Sequence, residues 1–419
     1  MNPLTGESAV MPRSRRLWTA AVLGSLSAFG PLSLDMYLPA LPKLADDLNT
    51  STSLAQLSLT ACLIGLALGQ LFAGPISDVR GRRQPLLIGL LLYTVSSLLC
   101  AIAPSIGTFI VLRFVQGLAG AAGIVIARAI VRDLYTGPEL TKFFSLLMLV
   151  NGIAPIAAPI FGGQLLHFTT WQGVFVVLGA IGLIMFIAVL LGLPETLPIN
   201  RRAKGGILNT LSTFRGLLTN RSFMGYALAQ GFVMAAMFAY ISGSPFVLQD
   251  VYGVSPQIFS LCFAINGLGI IVASQIAGRL AGRVDEVKLL VTGLCLAALG
   301  GIVLLIMLLI HAPLLLVLLP LFFVVASVGI VTTMGFSLAM RSQGHAAGSA
   351  SALQGLLSFL FGSIVAPFVG IAGSHTAIPM GIIIAALDIL ALLIFFMLVG
   401  GKSALADTTT KTPSSGQQR

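Results

Sequence analysis

Three ionisable residues sit where the sequence is otherwise apolar: Asp35 in LSLDMYLP, Arg113 in VLRFVQGL and Asp388 in IAALDILALL. A charge in hydrocarbon costs a few kcal/mol on insertion scales, so such residues face a partner or a cavity. An aspartate can take up and release a proton. Desolvation favours its neutral form, and a nearby guanidinium favours its charged form. A carboxylate held between these opposing effects can change protonation as its surroundings open to one side and then the other. Asp35 and Arg113 therefore read as a proton-coupling pair, and a static ion pair is the competing reading. Asp388 reads as an acid that hydrogen-bonds a neighbouring helix, with a second proton or cation site as the other possibility.

The elements that must hold these residues follow from composition. Of 419 residues, 57% are hydrophobic and 9% charged, and the mean hydropathy is +1.01. Apolar runs long enough to cross a bilayer as helix recur along the chain, continuous rather than alternating, which selects helices over a barrel. The predicted spans are 16–41, 54–76, 84–103, 107–131, 142–166, 171–193, 222–247, 256–281, 287–310, 313–337, 347–371 and 377–400. The fold class expected is an all-α integral membrane protein of twelve helices in two pseudo-symmetric six-helix bundles. At 1.5 Å per residue, Asp35 and Arg113 each lie about 9 Å below the outer end of their span.

Basic residues give the orientation. Arg13, Arg15, Arg16, Arg80, Arg82, Arg83, Arg132, Lys142, Arg201, Arg202, Lys204, Arg279, Arg283, Lys288 and Arg341 fall in one set of loops, and the other set holds only Lys43. The positive-inside rule places both termini in the cytoplasm. The net charge of +10 is then an inner rim, and no nucleic acid is needed to explain it.

Residues 1–15 read as a cytoplasmic segment and 16–193 as the first bundle. Residues 194–221 read as a linker, 222–400 as the second bundle and 401–419 as a disordered tail. In the linker, Ile207, Leu211, Phe214 and Leu218 share one face, predicting a short surface helix. Ala158-Pro159-Ile160-Phe161-Gly162 echoes Ala366-Pro367-Phe368-Val369-Gly370 at an offset near half the chain, which suggests internal duplication.

Enzyme chemistry finds no support. The GGKS at Gly400–Ser403 lacks the earlier P-loop glycine, since Phe396 stands there, and no HExxH or GxSxG occurs. Cys62, Cys100, Cys262 and Cys295 lie in apolar runs without CxxC spacing, so neither a metal nor a disulfide is expected. Polar residues within spans, Tyr37, Asn151, Tyr240, Asn266 and Gln354, are candidate cargo contacts, with ordinary helix packing as the alternative. Met237 and Phe238 read as packing first. The segment Gly74-Pro75-Ile76-Ser77-Asp78-Val79-Arg80-Gly81-Arg82-Arg83 reads as an inner loop between spans two and three. Its Gly74, Asp78, Gly81, Arg82 and Arg83 would make a conformational gate.

GPISDVRGRR resembles the G-x-L-x-D-R-x-G-R-R motif of the major facilitator superfamily, with Val79 in place of its first arginine. RFVQGLAGAAG, from Arg113, is similar to the helix-four motif that drug/proton antiporters use in proton coupling. GIAPIAAPIFGGQL, Gly152 to Leu165, resembles the Gly/Pro-rich antiporter motif of helix five, which adds Pro155, Pro159 and Gly162 to the gate. DMYLPALP and ARAIVRDLY resemble the bicyclomycin/chloramphenicol-resistance branch, and Gln172 replaces the arginine of the usual Trp-Arg pair. The resemblance implies alternating access and proton-coupled export of small organic molecules from a bacterial inner membrane. Export of a metabolite such as an amino acid is the alternative within carriers, and a non-transporting receptor or scaffold is the alternative outside them. The expected partners are small-molecule substrate, protons and membrane lipids, with no cofactor, no nucleic acid and a monomeric chain.

Overall fold

The computed structural model describes residues 13–135, 137–202, 216–341 and 347–400. The predicted surface helix falls mostly within 203–215 and the tail within 401–419, both outside the described residues.

Fourteen α-helices are found among the described residues. Span one is built from α1 (Arg13–Ser27), α2 (Phe29–Asp35), a 3₁₀ turn (Leu38–Ala40) and α3 (Leu41–Asp47). Spans two to six are α4 (Thr52–Arg80), α5 (Arg83–Ala101), α6 (Ile106–Leu134), α7 (Gly137–Leu165) and α8 (Trp171–Gly192). The remainder are α9 (Arg221–Phe246), α10 (Pro256–Leu280), α11 (Glu286–Leu309), α12 (Leu314–Met340), α13 (Ala347–Val369) and α14 (Ile378–Phe395). Among the described residues, ten segments are long and apolar enough to cross a membrane. Shorter apolar stretches, Leu149–Leu165 and Leu353–Val369, lie in α7 and α13. Each of the twelve predicted spans thus has a helix.

Two boundaries differ in a way that matters. Span one is broken rather than continuous. Pro31 cannot donate to the carbonyl of Ser27, where α1 ends, Pro39 lies within the 3₁₀ turn, and Pro42 lies in the first turn of α3. The segment read as a loop from Gly74 is helical as far as Arg80, with Pro75 inside the helix. The true turn is Gly81–Arg82, where Gly81 takes φ +92°, a backbone conformation only glycine adopts freely.

The chain forms two compact units: Met1–Leu48 with Ala61–Gly205, and Asn49–Thr60 with Gly206–Arg419. The first is centred on Leu23, Leu26, Phe29, Tyr93, Ile126 and Ile130, all buried. Glycines let its helices touch. A Cβ on Gly65 or Gly117 would collide with backbone carbonyl oxygens of Phe114 and Cys62 respectively, the small-residue contact typical of membrane helices. The second unit is centred on Ala229, Val233, Leu294, Val331 and Phe395.

Candidate functional site

The break in span one creates the first site. A helix end leaves its last carbonyls without intrahelical partners, and those carbonyls carry partial negative charge. Arg113 of α6, fully buried, donates from one terminal nitrogen to the carbonyl of Ser33 near the end of α2, at 2.7 Å. Its other terminal nitrogen donates to Gln116 Oε1. Gln116 Nε2 then donates to Ser97 Oγ (2.7 Å), and Ser97 to the Tyr93 carbonyl (2.7 Å). Ser33 Oγ donates to the Phe29 carbonyl (2.5 Å), so the Tyr93 hydroxyl, 2.8 Å away, donates to Ser33. The guanidinium lies 4.4 Å from the centre of the Tyr37 ring and 5.5 Å from that of Phe175, a cation–π arrangement. Phe109 and Trp171 close this aromatic box edge-on. Trp171 donates to Asp47 (3.1 Å), which also pairs with Lys43 at 2.7 Å.

Asp35 is the last residue of α2 and is buried. Among the described residues its carboxyl makes no hydrogen bond and no ion pair. The expected pair with Arg113 is therefore not a direct one: the guanidinium reaches the backbone two residues before Asp35 and leaves the carboxyl bare. Tyr37 belongs to the arginine's enclosure. Gly162 of α7 packs on the neighbouring Met36, where a Cβ would collide with the carbonyl oxygen. Pro155 and Pro159 lie in the same helix and remove the hydrogen bonds to the carbonyls of residues 151 and 155. Asn151 donates to the Leu147 carbonyl of its own helix (2.8 Å).

In the second unit the polar candidates pair with one another. Asn266 donates to the Tyr240 hydroxyl (2.9 Å), and Tyr240 stacks on Phe263, with ring centres 5.5 Å apart. Gln354 donates to Gln230 Oε1 at 2.5 Å, while its own Oε1 is buried without a partner. Gln230 was not foreseen. Phe238 packs on Phe359 and against Gly362. Asp388 corrects its expectation. It is fully buried, and neither oxygen finds a donor among the described residues. It faces Gly301, which has no side chain to offer one.

The third cluster is the turn after α4. Buried Arg82 donates to Asp78 (2.6 Å), Asp133 (2.8 Å) and Ser77 (2.8 Å). Glu195, after α8, accepts from the backbone N–H groups of Arg82 (2.8 Å) and Arg83 (3.1 Å), and from that of Leu197 (3.0 Å). Partial burial works against its charge, but those three donors hold its carboxyl below the usual range. Arg83 donates to the Leu190 carbonyl (2.6 Å). A side chain on Gly81 would strike Glu195 and Arg202, and Val79 is half exposed. Asp133 lies within ARAIVRDLY, yet its link to Arg82 spans 51 positions. Glu195 carried no signal beyond following span six. No group of acids, histidines and cysteines suited to a metal occurs among the described residues.

Comparison with known proteins agrees with this architecture. Residues 23–367 match the model of the Major Facilitator Superfamily. The chain is 51% identical over 383 residues to the uncharacterized MFS-type transporter YdgK of Bacillus subtilis, covering 91% of this chain and 95% of that one. It is 31% identical over 376 residues to a bicyclomycin resistance protein homolog of Haemophilus influenzae, covering 90% and 94%. A crystal structure of a bacterial homolog of the human lysosomal transporter Spinster superposes with a TM-score of 0.73 at 16% identity, over 94% of this chain and 99% of that chain. That likeness supports the fold alone. The broken first span, the Arg113 enclosure and the Arg82–Asp78–Asp133 cluster thus sit in a chain that belongs to the major facilitator superfamily of multi-pass membrane transporters.

Proposed function

We propose that the protein exports small organic, drug-like molecules from the cytoplasm in exchange for protons, working as a monomer in a bacterial inner membrane with both termini inside. The observation that carries this reading is Asp35: a buried carboxyl with no partner among the described residues, at a break in the first span, where the Arg113 guanidinium bonds the Ser33 carbonyl and Gln116 instead. An acid with a fixed ion-pair partner would hold one protonation state. A bare one beside an interrupted backbone can exchange its proton as its access changes. Protonation from outside favours release of cargo, and cargo bound from inside favours loss of the proton, so each ligand weakens the other. One charge moved across 100 mV supplies about 2.3 kcal/mol, enough for tens-fold accumulation. The relative named for bicyclomycin resistance supports the cargo class. Residues 16–193 and 222–400 are the two bundles that alternate in this scheme, joined by 194–221. The inner loops face cytoplasmic lipid, and Tyr240, Asn266, Gln230 and Gln354 line the cargo path.

Energised everted vesicles test the scheme. Adding bicyclomycin or chloramphenicol should release luminal protons, and Asp35→Asn at equal expression should abolish that release while binding persists. Unchanged proton release by the variant would remove Asp35 from the mechanism.

A further inference from the structure

Arg128 takes part in none of the clusters above. It lies on α6 fifteen residues inward of Arg113, about 22 Å along the axis, and six residues, about 9 Å, before the helix ends at Leu134. Its Nε is enclosed without a partner. Among the described residues its side chain makes no hydrogen bond, and no carboxylate lies within ion-pair distance.

Its direction follows from its helix. Phe114, Leu118, Ala121, Val125 and Arg128 form one stripe at helical spacing. The earlier members face α4: Gly65 lies on Phe114 and Leu118, Gly69 on Leu118 and Ala121, and Gly74 on Val125. Ile124, one turn before Arg128, lies over Gly30 of α2. Arg128 therefore stands between spans one and two, inside the first unit. The acids of the inner cluster, Asp78 and Asp133, are both held by Arg82.

A partly buried guanidinium with no carboxylate partner among the described residues is costly, and its planar fork matches a carboxylate in two parallel hydrogen bonds. We propose that Arg128 recognises an anionic group on the transported molecule, a carboxylate or similar planar oxyanion. The proposal rests on the export reading and extends its cargo to small organic anions and zwitterions taken up from the inner side. A lipid phosphate offers related chemistry at the inner leaflet, and the test separates the two.

The full chain is placed in phosphatidylcholine nanodiscs. Binding of benzoate, salicylate, N-acetylleucine and N-acetylphenylalanine is measured by calorimetry, each beside its primary amide. At least one acid should bind about tenfold tighter than its amide, the worth of a charge-assisted pair. Arg128→Gln should erase that preference while leaving amide affinity within about twofold, which also shows that the variant is folded. Arg128→Lys should restore part of the preference. No acid bound more tightly than its amide, or a preference that survives Arg128→Gln, overturns the proposal. So does a site that takes up phosphatidylglycerol through Arg128 but discriminates no acid. If the preference holds while vesicles export nothing, the arginine site stands and the export reading fails.

Discussion

The two units solve the problem of buried polarity differently. In the first, a permanent cation is enclosed by a backbone carbonyl, an amide and two aromatic faces, while the acid nearby goes without. In the second, neutral polar groups meet in pairs, Tyr240 with Asn266 and Gln230 with Gln354, and the buried acid, Asp388, stands apart from them without a donor among the described residues. A cation with both terminal nitrogens engaged is a fixed post. A pair of amides can part and bond to a guest at little net cost, since one hydrogen bond replaces another. The contrast assigns the proton to the first unit and the neutral part of the cargo to the second, with Arg128 as the first unit's own proposed contact to a cargo anion.

Several changes would break or sharpen that division. Arg113→Ala should have the largest effect. It removes two charge-assisted hydrogen bonds and empties the aromatic box, a loss of about 3–6 kcal/mol. Thermal unfolding in detergent should show the drop, and transport should vanish. Arg113→Lys cannot reach Ser33 and Gln116 as a fork, so it should rescue stability only in part and transport not at all. Next comes Gly162→Leu, whose side chain would displace the Met36 carbonyl beside Asp35. Vesicles should show transport reduced at least about tenfold, with the protein still inserted. Smaller effects should follow in the second unit. Tyr240→Phe and Gln354→Leu should each raise KM for a drug about three- to tenfold, one hydrogen bond's worth, and leave proton release per drug unchanged. An altered proton ratio there would dissolve the division.

The smallest effect concerns the turn after α4. Glu195 titrates below its ordinary value in the folded protein, so its contribution to stability is complete above about pH 4.3, the unfolded value, and is lost as pH falls through the folded one. Thermal unfolding followed downward from pH 6 should decline through that window, and Glu195→Gln should flatten the decline.

Much of this was legible in the residues. Continuous apolar runs gave each span, and the rarity of charge within them singled out Asp35, Arg113 and Asp388, although Arg128 in span four was passed over. The break in span one was not read: Pro31, Pro39 and Pro42 stand at it, but the run of apolar residues reads as one continuous span. The partners were harder to read. Arg113 bonds a main-chain carbonyl, which any residue possesses, so nothing in the sequence marks Ser33. Gln230 meets Gln354 across 124 positions and Arg82 meets Asp133 across 51, distances that only packing closes. Asp388 misled because a buried acid ordinarily finds a donor, whereas this one faces a glycine.

The protein has two tryptophans. Trp18 is about half exposed, whereas Trp171 is enclosed and touches Phe109 and Phe175, the latter lying beside the Arg113 guanidinium. Indole emission depends on its surroundings, so replacing Trp18 with phenylalanine would leave a single built-in lamp beside the arginine. Its colour and brightness could then follow the turnover cycle in real time, with no dye attached.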